Sequence, residues 1–290
     1  MQPADPLGVR EGCAWVLKRA RDVRLGRCDR LADALVDRQV PRWDGQRHFS
    51  GSRDRTITYL LVVDTINFSF WGGQGGGYWQ LAERVRDVFE NSDALADPAR
   101  LGRMTPARLG ELIGPFPMLE QRARALRELG RHGLDGLVKR SAAATARALA
   151  ENLASFADVV EYDGHDVPIL KRAQILPADL HGAGVANYGD LGDLTCFADY
   201  KLPQVLRHFG AIEYSEPLRR RVDGLEELQG GDPAEVEIRA ATVVAVERLR
   251  EALAQRGREL RAVELDWILW DISQTLYPVR PYHRTRSIFY

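Results

Sequence analysis

The sequence predicts a mainly α fold: one large helical domain over residues 1–290 with a small β element. Three observations carry this. Apolar residues recur at three- and four-residue spacing in segment after segment. Thr105-Pro106 and Asp232-Pro233 are helix-start signals, a capping oxygen followed by a proline that pre-sets φ. Strand signals are few, and no composition break or internal repeat marks a domain boundary.

The elements follow in order. Asp29 to Val40 places Leu31, Ala34, Leu35 and Val36 near one face. Thr56 to Val63 is β-branched and apolar, which suits a strand or a buried helix. The glycine run Gly72 to Gly77 reads as a flexible loop, because it lacks the spacing of a phosphate-binding fingerprint. Tyr78 to Phe89 repeats the helical pattern with Leu81, Val85, Val88 and Phe89. Met118 to Leu129 and the alanine-rich Ser141 to Phe156 continue it. Val159 to Tyr162 and Val167 to Leu170 flank Asp163-Gly164, a hairpin turn pair. A helix capped by Asp232 runs through Ile238, Ala241, Val244, Ala245 and Leu249, and a second spans roughly Glu259 to Gln274.

Composition narrows the function classes. Lysine and arginine number 40 against 41 acids, a net charge of −1, so no bulk positive field favours coating nucleic acid. Cys13, Cys28 and Cys196 are too few and scattered for a disulfide framework, and no Cys-x-x-Cys pair suggests zinc. They read as buried reduced thiols, hence a cytoplasmic setting. No run approaches the ~18 apolar residues of a membrane span. Met1 to Arg10, with Asp5 and two prolines, lacks the apolar core of a secretory signal. His165 between Asp163 and Asp166 has no second histidine at ligand spacing, so neither a metal nor a cofactor is expected.

Four segments look chemical. In Asp64-Thr-Ile-Asn67-Phe68-Ser-Phe70-Trp71 an acid and an amide interrupt an apolar stretch beside aromatic rings. Rings stack on a flat heterocycle while polar groups read its edge, but the residues by themselves favour a core element with one internally satisfied Asp. A helix starting near Pro203 puts Asp199 at its positive end, with Lys201 near, and both favour the ionised carboxylate. Such a group stabilises an oxocarbenium ion, attacks it or positions water; it also serves as a plain helix cap. Asp266 and Asp271 interrupt an apolar helix and need partners, arginines being the ordinary ones. The C-terminal stretch from Tyr277, with Arg280, His283, Arg284 and Arg286 and no acid, fits a docked tail able to clamp a phosphate.

Several of these runs carry a family resemblance. Asp64-Thr-Ile-Asn-Phe-Ser-Phe-Trp71, Gly77-Tyr-Trp79, Lys171-Arg-Ala-Gln-Ile-Leu176, Phe197-Ala-Asp-Tyr-Lys-Leu-Pro-Gln-Val-Leu206, Glu235-Val-Glu-Ile-Arg239, Leu269-Trp-Asp271 and His283-Arg-Thr-Arg286 occur in the order of the queuosine salvage family. The chain resembles these queuosine 5′-phosphate N-glycosylase/hydrolases from about Asp64 to its last residue, and less clearly over the first sixty.

The resemblance implies a fold similar to helix-hairpin-helix DNA glycosylases. It also implies hydrolysis of queuosine 5′-monophosphate to queuine and ribose 5-phosphate, with queuine returned to tRNA modification. It makes Asp199 the catalytic carboxylate, and Asp64, Asn67, Phe68, Phe70 and Trp71 the base-pocket candidates. Queuine is a 7-deazaguanine, so the nitrogen that takes a proton as a purine leaves is missing, and stabilising the sugar cation carries more of the barrier. Its secondary ammonium calls for an acid: Asp64 first, Asp266 or Asp271 second. The 5′-phosphate calls for cations, Lys201, His283 and Arg284. The expected partner is a small nucleotide, with no stable nucleic-acid complex, no membrane and a monomeric state. Two other readings share these residues: a glycosylase acting on DNA or another modified nucleotide, and a non-catalytic nucleotide- or RNA-binding module.

Overall fold

The computed structural model describes residues 3–290; Met1 and Gln2, which open the N-terminal stretch considered above, lie outside the described residues. The described chain is mainly α, with 13 α-helices and two sheets of two short strands. It falls into two compact units, one comprising the described residues up to Pro41, Val159–Lys171 and Asp190–Arg286, the other Arg42–Asp158, Arg172–Gly189 and Ser287–Tyr290. No helix among the described residues is long and apolar enough to cross a membrane.

The first unit is organised by the helix Pro233–Ala254. Ala240, Ala241 and Ala245 let neighbours approach closely, while Ile238, Val246, Leu249 and Leu253 fill the core. The helices Val9–Leu17, Asp29–Leu35, Lys201–His208 and Ala262–Thr275 pack against it. Its Glu237 is fully buried and accepts the amides of Arg21 (3.0 Å), Asp22 (2.7 Å) and Val23 (3.0 Å) and the Tyr162 hydroxyl (2.8 Å). One carboxylate thus ties both sheets to the central helix. Strand Val23–Leu25 pairs antiparallel with Ile212–Tyr214, a sheet the sequence did not announce. The expected hairpin is present, with its second strand two residues earlier than Val167 to Leu170: Val159–Tyr162 pairs with His165–Pro168, and Asp163 (φ 47°) and Gly164 (φ 74°) both take the left-handed conformation of a tight hairpin turn.

In the second unit the ambiguous Thr56 to Val63 stretch is helical, within Arg53–Thr65. It shows no apolar stripe because residues from Tyr59 to Thr65 are buried on every side. Ser52, Thr105 and Ser141 cap their helices by accepting the amides of Arg55, Arg108 and Ala144. Asp232, in the first unit, does not cap as expected; its carboxylate turns back to the amide of Gln229 at 3.3 Å. The glycine run is less free than expected. A Cβ on Gly75 would meet the Phe116 ring at 2.7 Å, so glycine is required there for close approach.

The C-terminal stretch is docked, as expected. Leu228 donates its amide to the Arg284 carbonyl at 2.8 Å within the first unit. In the second, Ser69 donates to the Tyr290 carbonyl at 3.0 Å, and Tyr290 is buried.

Candidate active site

The helix Lys201–His208 starts two residues ahead of Pro203, which sits in its first turn, where a missing N–H costs no intrahelical bond. Asp199 lies just before this helix. Its Oδ1 accepts the amides of Lys201 at 2.7 Å and Leu202 at 2.9 Å, while its Oδ2 accepts no hydrogen bond among the described residues. The residue keeps 8% of its surface exposed. Burial raises its pKa above the ordinary carboxylate value; the charge of Lys171, the two amides and the charge of Lys201 pull it back. The sequence pointed to the helix end and Lys201 as the deciding influences. Both are present, but desolvation outweighs them.

The loop carrying Asp199 is gripped residue by residue. Phe197 donates its amide to Asp266 Oδ1 at 2.7 Å, and Arg239 Nε donates to the Ala198 carbonyl at 3.3 Å. Asp266 stands on the helix Ala262–Thr275 and is 5% exposed. Burial pushes its pKa well above the usual range against the Phe197 amide; the charge of Asp199 adds to the rise and that of Lys171 opposes it. Arg239 and Glu235 are both buried, one helical turn apart, with Nε and Oε1 at 3.8 Å.

The residues proposed as cations differ in state. Lys201 Nζ lies 5.1 Å from the centre of the Tyr282 ring, which packs on Tyr200 at 4.7 Å. Burial lowers its pKa and the Asp199 charge raises it. His283 is not the cation the sequence suggested. Burial, then the Arg239 charge, lowers it to about 3, so it is a neutral imidazole near pH 7. Arg284 is partly buried in the docked tail. Asp271 is half-exposed and paired with Arg38 at 2.8 Å, the ordinary arginine ion pair that the sequence offered beside a ligand role.

The first unit therefore brings together Asp199, Lys201, Asp266 and His283, and leaves Asp271 at the surface. It adds Lys171, Arg239, Tyr200 and Tyr282. Lys171 and Arg239 stood inside quoted motifs; a lysine opening a largely apolar helix was the available signal for the first.

Asp64, Asn67, Phe68, Phe70 and Trp71 lie in the second unit. Asp64 occupies the last turn of Arg53–Thr65, which stops before Asn67, so the four residues at helical spacing share no helix face. Asp64, Asn67, Phe68 and Trp71 are buried and Phe70 is half-buried. Two buried arginines hold the segment. Arg172 donates to the carbonyls of Asp64 (2.9 Å) and Thr65 (2.6 Å), and Arg122 to those of Ile66, Phe68, Ser69 (3.1 Å) and Pro117 (2.8 Å). Their guanidiniums lie 4.6 Å (Arg122) and 5.0 Å (Arg172) from the centre of the Phe68 ring. Burial lowers Arg172 to about 10, opposed by the charges of Asp158, Asp64 and Glu128, so it stays charged at neutral pH. Asp64 and Asp179 both add to the burial that raises Tyr59 and Tyr78. His48, stacked on Trp43 at 4.0 Å, is lowered by burial to about 4.

The family profile described as queuosine salvage protein matches residues 47–290. The chain is similar to proteins named queuosine 5′-phosphate N-glycosylase/hydrolase. It is 40% identical to one from Sphaerobacter thermophilus, with 99% of both chains covered. It is 31% identical to one from Dictyostelium discoideum, covering 97% of this chain and 98% of that one. It is 30% identical to one from Mus musculus, covering 98% of this chain and 99% of that one.

Proposed function

The chain belongs to the queuosine salvage protein family, and on that premise we propose that it hydrolyses the N-glycosidic bond of queuosine 5′-monophosphate to queuine and ribose 5-phosphate, supplying queuine for tRNA modification. The observation that carries the reading is Asp199, with one oxygen fixed by two amides and the other accepting no hydrogen bond among the described residues.

In this reading the C1′–N bond breaks with its electron pair going to the base. Positive charge develops at C1′, and the Asp199 carboxylate stabilises it. Fixed in advance, the group needs no reorganisation as the charge appears. Water oxygen then bonds to C1′, and the proton it loses balances the base anion. The Lys171 charge favours the ionised form of Asp199 against the cost of burial. Lys201 and Arg284 are the proposed phosphate partners, with His283 contributing hydrogen bonds as a neutral ring. Arg38 already pairs with Asp271, which favours Asp64 over Asp271 as the partner of the ammonium.

In the second unit we propose Asp64 for the secondary ammonium, and Asn67, Phe70 and Trp71 for the base. Guanidiniums already flank the Phe68 ring. Asp64→Asn should then weaken binding of free queuine, and unchanged affinity would reject that role.

The buried thiols of Cys13, Cys28 and Cys196, none of them in a disulfide among the described residues, support a cytoplasmic setting. The exposed large apolar side chains among the described residues, Val159, Leu225 and Tyr277, stand singly in sequence, which supports a monomer. Chromatography after incubation with queuosine 5′-monophosphate tests the reaction, with the dephosphorylated nucleoside and duplex DNA as parallel substrates. Release of queuine from the monophosphate supports the proposal. Base release from duplex DNA alone would replace it with a DNA glycosylase.

A further inference from the structure

We infer that Asp266 is a positioning residue for Asp199, acting through the amide of Phe197 rather than taking hold of substrate. The inference rests on the proposed catalytic role of Asp199.

Three consecutive residues are each held by a different device. Phe197 gives its N–H to Asp266 Oδ1 at 2.7 Å, Ala198 gives its carbonyl to Arg239 Nε, and Asp199 has its Oδ1 fixed by the two amides that follow. The first two grips come from separate helices, Ala262–Thr275 and Pro233–Ala254, which pack on each other in the first unit. Backbone directions on both sides of the Ala198 peptide are therefore set by side chains of the core. A loop has no ladder of its own to do this, and a displacement near 1 Å at a reacting group costs about a hundredfold in rate.

The chemistry of the acceptor fits this use. Leu265 and Leu269, next to Asp266 in sequence and one turn on, are fully buried, and Asp266 itself is nearly so. An amide N–H buried without a partner is costly, and a carboxyl oxygen meets it whether or not the group carries a proton. Burial together with the Asp199 charge favours the protonated acid. The need is thus for an acceptor oxygen, which an asparagine supplies in the same place. A group that transferred a proton or bound an ammonium ion would need the carboxyl itself.

The test compares Asp266→Asn and Asp266→Ala on queuosine 5′-monophosphate, alongside wild type and Asp199→Asn. Asp266→Ala should lower kcat by about tenfold or more with KM within about threefold, and Asp266→Asn should keep both within about threefold. Hydrogen exchange at the Phe197 amide should accelerate in Asp266→Ala and return towards wild type in Asp266→Asn. Equal loss in both variants, a raised KM with kcat kept, or unchanged Phe197 protection in Asp266→Ala would each overturn the inference. If Asp266→Ala does not fold, Asp266→Asn decides alone, wild-type kinetics supporting the inference and their loss contradicting it. Failure of the Asp199 reading is separately visible, as turnover retained by Asp199→Asn while Phe197 exchange still depends on residue 266.

Discussion

The amide of Leu202 donates to Oδ1 of Asp199 at 2.9 Å, so the helix that follows the carboxylate also holds it. Helix caps of this kind are common and by themselves signify stability. Here the cap uses one oxygen, the second accepts no hydrogen bond among the described residues, and the residue is buried close enough to Lys171 to feel its charge. Burial opposes the ionised state that oxocarbenium stabilisation requires, and Lys171 is the largest influence restoring it.

Lys171→Met should therefore move the acidic limb of the kcat/KM profile to higher pH. Removing the positive charge raises the Asp199 pKa further, so less of the carboxylate is ionised at a given pH. Rate profiles from pH 4 to pH 9 check this. An acidic limb left in place would exclude Lys171 from tuning Asp199.

Arg284→Ala should raise KM for the 5′-monophosphate by about tenfold or more, the worth of one charge-assisted hydrogen bond, while the dephosphorylated nucleoside changes little. Steady-state kinetics on the two substrates distinguish the cases. Equal losses on both would remove Arg284 from phosphate recognition.

His283 predicts a component of acid instability. Its pKa is about 3 in the fold against 6.5 ordinarily, so between those values the unfolded chain binds the extra proton. Its contribution is intact above pH 6.5 and is lost as pH falls towards 3, by up to about 1.4 kcal/mol per pH unit. His48, at about 4, acts in the same direction. Denaturant midpoints should fall less steeply between pH 6.5 and pH 4 in His283→Gln than in wild type. Parallel curves would mean that His283 is not the buried neutral group described.

Arg122→Met should destabilise the protein by about 3 kcal/mol, roughly 6–12 °C in Tm, because the carbonyls of Ile66, Phe68, Ser69 and Pro117 lose a buried donor together. Calorimetry measures it. A variant melting within about 2 °C of wild type would show that water or a rearranged loop replaces the guanidinium.

Local signals were legible where local chemistry decides. Thr105 caps its helix by a contact three residues long, and Asp163-Gly164 folds its hairpin through its own dihedrals. The pairing of Val23–Leu25 with Ile212–Tyr214 was not legible, since strands that short carry no periodicity and meet across most of the chain. At the site, Pro203 and the run before it made Asp199 visible. The states of its neighbours were not, because they depend on tertiary burial. His283 looks like a cation until its surroundings are known. Asp266 and Asp271 look equivalent on their helix, yet one is buried against Phe197 and the other meets Arg38 at the surface. The Phe68 ring looked available for stacking because nothing local announces two guanidiniums from distant helices.

The most direct test of the central claim is a single-turnover incubation of wild type and Asp199→Asn with queuosine 5′-monophosphate, with queuine and ribose 5-phosphate quantified together. The account predicts equimolar products from wild type. It predicts a loss of at least about a hundredfold in Asp199→Asn, with nucleotide binding retained. Comparable release from both proteins would contradict it.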